Sequence, residues 1–131
     1  MPGPDLSLVK VCLAFPARHW RVFSGLALLV LTLLSLLPMP EQMPTEGNDK
    51  ALHFIAWGLA VVPAALALGL RVLPVAVVFL ACGVIIEVLQ PLSGRCFEVA
   101  DMVANGVGLT FGALLGILLR RWPGAAAPGK S

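Results

Sequence analysis

A chain of 131 residues that is 59% hydrophobic and only 12% charged lies outside the range of a water-soluble domain, which is about half apolar and about a quarter charged. The formal net charge is +2, and the basic residues are scattered without an aromatic platform beside them, so nothing marks a nucleic-acid partner. The apolar residues fall in blocks, which predicts an all-α polytopic membrane protein with no soluble domain outside its spans. Cys12, Cys82 and Cys96 form no C-x-x-C pair, and an odd count at these separations is no disulfide framework.

Residues 1–21 carry Lys10, Arg18 and Arg21 among dispersed apolar side chains and read as a cytoplasmic leader lying partly in the membrane interface. The membrane domain then covers 22–119, with a first span over 22–37 that ends in Pro38-Met39-Pro40. A cleaved signal peptide competes for this segment. The long basic region and the lack of a small-x-small site in Ser35-Leu36-Leu37-Pro38 favour a retained span. A polar loop leads to Asp49-Lys50-Ala51-Leu52-His53-Phe54 and a second span over 52–70, which Pro63 should kink. Arg71 marks a tight turn, and Pro74 suits the first turn of a third span over 73–90 that Pro91 terminates. The loop from Leu92 to Glu98 precedes a fourth span over 101–119, and a Gly/Ala/Pro tail, 120–131, reads as disordered and cytoplasmic. Each span is near the roughly 20 residues a bilayer requires.

Four spans put both termini on one side. Lys10, Arg18, Arg21, Arg71, Arg120, Arg121 and Lys130 share that side, opposite Lys50 and Arg95, so the positive-inside rule makes both termini cytoplasmic. Glu41, Glu46, Asp49, Glu87, Glu98 and Asp101 then gather at the outer surface. Three spans contribute polar residues at their outer ends. The second gives Asp49, Lys50 and His53, the third Glu87 and Gln90, and the fourth Asp101 and Asn105, preceded by Arg95 and Glu98 in the loop. Spacings of three and four place each set on one helix face.

Each residue also has a plainer role. Asp49 or Asn48 suits a helix cap, Asp101 suits the positive end of its helix, and Lys50 can snorkel to headgroups. A lone His53 is more often a hydrogen-bonded interior histidine. Glu87 resists such a reading, because a carboxylate in the last turn of a helix opposes the dipole. It is either protonated or compensated by Arg95, Lys50 or His53. Asn105, one turn into its span, needs partners as well. Gly108, Gly112 and Gly116 form a small-residue stripe that serves either internal packing or a homo-oligomer.

No P-loop, G-x-S-x-G elbow, H-E-x-x-H or dinucleotide fingerprint is present, and no cofactor is expected. A hard cation held by Asp49, His53, Glu87 and Asp101 is conceivable. Lys50 and Arg95 beside them argue against a metal and favour an anion, bound by the two cations while His53 and a carboxylate move protons.

Asp49-Lys50-x-x-His53-Phe54, Glu87-x-x-Gln90, Arg95 and Asp101-x-x-x-Asn105-x-x-Gly108, with Ser35-x-x-Pro38 upstream, together resemble the VanZ-like family of small bacterial membrane proteins. The resemblance covers about residues 20–119, and Trp57 stands where the family commonly has another aromatic. It implies an envelope role in the bacterial inner membrane, and its founding member is linked to teicoplanin resistance, but it supplies no reaction. The expected ligand is an anionic envelope component such as a lipid-linked wall intermediate, alongside membrane lipids. Lys50, Arg95, Asp49, Gln90 and Asn105 would bind it, and His53, Glu87 and Asp101 would act on it if there is turnover. Two rivals stay open: an accessory protein whose network only locks the bundle, and a small transporter. The transporter is disfavoured by the nearly apolar inner halves of the spans.

Overall fold

The computed structural model describes residues 6–38 and 48–122. The loop over 39–47 and the tail from residue 123 lie outside the described residues. Five α-helices follow one another: α1 (Leu6–Arg18), α2 (Trp20–Leu36), α3 (Asn48–Leu68), α4 (Leu73–Leu89) and α5 (Val99–Arg121). Short 3-10 segments, Gly69–Val72 and Gln90–Ser93, stand at the two ends of α4. No strand occurs among the described residues.

The helices run past the apolar blocks that announced them. Asp49 and Lys50 lie inside the first turn of α3, and α5 begins two residues before Asp101. Hydropathy marks only the part of a helix that meets hydrocarbon, whereas the hydrogen-bonded ladder continues through polar residues that do not break it. α3 likewise passes through Pro63 as one helix. The leader is itself helical and contains Pro16. His19 (φ −107°, ψ 27°) separates it from α2, and the two axes bend by 72° there.

Two apolar stretches are long enough to cross a membrane, Asp49–Ser93 and Val99–Arg121, and the bent pair α1–α2 adds a third if it acts as one span. The first stretch doubles back. Its side chains His53 and Glu87 end 3.9 Å apart, whereas a straight helix would separate them by about 50 Å. The reversal sits at Gly69, whose φ of +60° is a left-handed conformation that glycine adopts without steric cost. α3 and α4 are therefore antiparallel arms.

Large apolar side chains face outward on every helix, among them Val11, Leu29, Leu33, Leu59, Val77, Val88, Phe111 and Leu118. Glu87, Gln90, Asp101 and Asn105 are buried instead. Water would reverse that distribution, and hydrocarbon requires it. The chain is an all-helical membrane protein.

The most intimate contact joins α3 to α5. A Cβ on Gly108 would run into the backbone of Phe54, and one on Gly112 into the backbone of Gly58. One on Gly116 would meet Ala65 Cβ at 2.5 Å. The register advances in the same sense on both helices, so α3 and α5 are parallel. The glycine stripe is thus occupied within the chain by α3, and Gly106, off the stripe, faces Leu80 of α4. Below the seam a core of Trp57, Val61, Ala64, Phe79, Ile86 and Leu109 closes the bundle, with Trp57 edge-on to Phe79. At the far end Arg120 donates to the Leu66 carbonyl at 3.0 Å and to that of Ala67, satisfying acceptors that the end of α3 leaves open. Arg71, Arg120 and Arg121 line one cavity at that end.

Gly112→Ala places a methyl group against the Gly58 backbone and should cost about 1–3 kcal/mol in strain. Thermal unfolding in detergent should show a lowered midpoint. Gly25→Ala, where nothing lies within 4 Å, should leave it unchanged. Equal midpoints for G112A and the unaltered chain would contradict the seam.

Candidate functional site

Parallel α3 and α5 bring their N-termini to one end of the bundle, and antiparallel α4 brings its C-terminus to the same place. Three polar sets that are far apart in the chain meet there. On α3, Asp49, His53 and Trp57 follow at intervals of four and descend into the protein. Their exposure falls from 24% for the Asp49 side chain to 9% for His53 and 1% for Trp57. On α5, Asp101 and Asn105 occupy the inward face, both buried. On α4 the inward face carries Gly83 and Glu87.

Asn105 Oδ1 lies 2.8 Å from His53 Nδ1. A carboxamide oxygen only accepts, so Nδ1 carries the proton and donates. In the neutral ring Nε2 then holds a lone pair, and it lies 3.9 Å from Asp49 Oδ1. Glu87 Oε1 is 3.9 Å from Nδ1 on the other side of the ring. Gly83 makes room for this arrangement. A Cβ there would sit 3.3 Å from both Asn105 Nδ2 and the Trp57 ring.

The sequence predicts one network of His53, Glu87, Arg95 and Asp101, and these four do lie together. Asp49, His53 and Asp101 each offer an atom within 4.8 Å of the others, and Arg95 Nη2 stands 3.6 Å from Asp49 Oδ2. Of the three cations suggested for Glu87, His53 is the one placed beside it. Lys50 points to the rim and binds Glu98 Oε2 at 2.9 Å, both side chains about half exposed. An ion pair so open to water contributes little. Gln90 is buried but turns away from the acids, donating to the Ser35 carbonyl of α2 at 3.4 Å. Asp49 and Asp101 occupy the first turns of their helices, where the dipole favours them, so that plainer role coexists with membership of the cluster.

Glu98, Ser35, Trp57 and Gly83 complete the site. The sequence already placed Glu98 beside Arg95 in the loop, Ser35 and Trp57 entered only through the family resemblance, and Gly83 had no place. Gly83 had a faint signal, since it precedes Glu87 by four and so shares its helix face. Trp57 had the same relation to His53.

Two features set what the cluster can do. Glu87, whose oxygens make no well-formed hydrogen bond and have only the Glu98 backbone N–H in reach, and Asp101, with Oδ1 unpartnered, are buried carboxylates short of the partners such groups ordinarily have. The cluster also holds four carboxylates (Asp49, Glu87, Glu98, Asp101) against two permanent cations, Lys50 and Arg95, each of which already faces a carboxylate. An incoming anion must compete with Asp49 for Arg95 and with Glu98 for Lys50. His53, oriented by Asn105, is able to accept a proton at Nε2.

Compared with protein-family models, with curated proteins and with solved structures, the chain matches none.

The His53–Asn105 contact should be measurable as a coupling. Asn105→Ala is expected to destabilise the fold by about 1–3 kcal/mol, leaving His53 Nδ1 without its acceptor. In a double-mutant cycle with His53→Ala, followed by denaturation in mixed micelles, the coupling should be about 1 kcal/mol or more. Strict additivity would contradict the bond.

Proposed function

We propose that the chain is a VanZ-like protein of the bacterial cytoplasmic membrane that crosses it four times, with both termini in the cytoplasm. Its polar cluster faces outward and binds an anionic envelope component such as a lipid-linked wall intermediate. A role in glycopeptide (teicoplanin) resistance is one biological setting for such binding. Three things support the reading. The ordered motif residues from Asp49 to Gly108 lie on α3, α4 and α5, except Gln90 and Arg95, which lie in the connection from α4 to α5. Those helices, of 21, 17 and 23 residues, have lengths of about 32, 26 and 35 Å, and α2, with the same 17 residues as α4, supplies the remaining crossing, α1 being set off from it by the 72° bend. Arginines collect at the end of the bundle away from the acids, as the positive-inside rule asks of a cytoplasmic face.

The single observation that carries a binding role is the pair of buried carboxylates short of partners, Glu87 and Asp101. A network that only locked helices together would be expected to satisfy its members, because an unpaired buried charge opposes folding. Polar groups kept at such a cost inside a membrane protein are characteristic of a site. In this reading Arg95 and Lys50 meet the anion at the rim by exchanging their carboxylates for it. Asn105 orients His53, and His53 with Glu87 holds or moves a proton. Binding alone satisfies the reading, with or without turnover.

Two substitutions separate site from scaffold. Glu87→Gln removes a desolvated acid that has no well-formed hydrogen bond, so the thermal midpoint should hold or rise. Arg95→Gln should fold, yet lose at least about tenfold of a co-purifying phospho-lipid quantified by mass spectrometry, a change of about 1.4 kcal/mol. A Glu87→Gln protein that unfolds more readily, or an Arg95→Gln protein that keeps the lipid, would overturn the proposal.

A further inference from the structure

We propose that Asp49, His53 and Asp101 bind one divalent metal cation of the zinc or manganese class. The geometry is that of a nearly closed donor set: a ring nitrogen of His53 and one oxygen from each aspartate all lie within 4.8 Å of one another. Around a cation with bonds of about 2.1 Å, neighbouring donors sit roughly 3.0–3.4 Å apart. The trio reaches that spacing by drawing its side chains inward by about 1–2 Å in total. Asp49 and His53 share one face of α3, and Asp101 stands on the first turn of α5. The glycine seam holds these two helices rigidly together, so the donors come from a fixed frame.

Independent features point to a cation there. Asp101 is 3% exposed and its Oδ1 has no partner. Glu87 is fully buried, has no well-formed hydrogen bond on either oxygen, and reaches to 3.9 Å from the same imidazole. The histidine is already in the state that ligation needs. Nδ1 donates to the Asn105 carbonyl oxygen, which leaves Nε2 unprotonated on the side of Asp49 Oδ1. Metal-binding histidines are ordinarily held by just such a bond from the other nitrogen.

Lys50 and Arg95, which in the sequence weighed against a metal, do not fill the position. Arg95 lies against the other oxygen of Asp49, Oδ2, and Lys50 is held by Glu98. A divalent ion would bring four carboxylates and two cations to neutrality. The donor types narrow its identity: magnesium and calcium prefer all-oxygen sites, whereas the imidazole suits zinc and the two carboxylates suit manganese. Three protein donors leave a position open, as in zinc sites that engage a further ligand. If the ligand is an envelope phosphate, which rests on the reading above, the ion adds positive charge beside Arg95 and Lys50, and because it occupies His53 Nε2 the proton role in that reading falls to Glu87. The metal site itself does not depend on that reading.

The test uses the full chain in detergent, without a histidine tag and with Cys12, Cys82 and Cys96 replaced by alanine to remove thiol binding. After chelator treatment it is titrated with zinc or manganese alone. One ion per chain should survive gel filtration, counted by elemental mass spectrometry, and the thermal midpoint should rise with the ion. Asp101→Asn, and Asp49→Asn at the half-open edge of the site, should each weaken binding about tenfold or more. Asp49→Asn keeps the test decisive should Asp101→Asn fail to fold. No retained ion, or equal retention by Asp49→Asn, overturns the site. A chain that binds no ion yet still co-purifies with a phospho-lipid through Arg95 would defeat the metal proposal alone. One that binds the ion without such a lipid would defeat only the lipid reading.

Discussion

The backbone of α5 touches the backbone of α3 because Gly108, Gly112 and Gly116 carry no Cβ where Phe54, Gly58 and Ala65 approach. Lipid chains are as apolar as leucine, so helices in a bilayer gain nothing from hiding apolar surface from one another. Close van der Waals contact along small residues takes the place of that driving force. The contact fixes direction as well as distance. α3 and α5 run parallel, and α4, which joins them in the chain, must return in the opposite sense. Everything polar follows from that. Two helix N-termini and one C-terminus share an end of the bundle, and the side chains of Asp49, His53, Glu87, Asp101 and Asn105 are driven into the same small volume.

The paired N-termini also explain how so many acids are tolerated. Asp49 and Asp101 each lie in a first turn, where the helix dipole offers roughly half a positive charge. Glu87 has no such help, since it projects from the last turns of α4. Its position is supported from outside its own helix, by the imidazole that Asn105 orients. Arg95 and Lys50 balance the rim, and Gln90 ties the end of α4 to the end of α2 through the Ser35 carbonyl. The opposite end is basic, with Arg120 closing the C-terminus of α3.

Much of this was legible in the residues. Apolar blocks announced the helices from α2 onward, and spacings of three and four announced which polar side chains share a face. What the spacing of one helix cannot express is which oxygen meets which cation. The sequence placed Lys50 and Arg95 as free anion binders, and only packing reveals that Glu98 and Asp49 engage them. Gln90 shares a helix face with Glu87 in the sequence, yet its side-chain amide is engaged by the Ser35 carbonyl of α2. The helical leader was masked by Pro16 and its basic residues, and the bend at His19 has no strong local signature. Gly83 left only the faint mark of its spacing from Glu87, because its contribution is the volume it leaves to Trp57 and Asn105.

The parallel seam is the claim on which the shared end depends, and it is open to a direct measurement. Phe54 and Phe111 stand with ring centroids 5.8 Å apart across α3 and α5. In a chain whose native cysteines are replaced, Phe54→Cys with Phe111→Cys should cross-link within a single chain under a short bifunctional reagent in native membranes. Phe54→Cys with Leu118→Cys, two turns further along α5, should not. Cross-linking of the second pair in preference to the first would mean that α5 runs in another register or direction, and the polar residues would then not share one end.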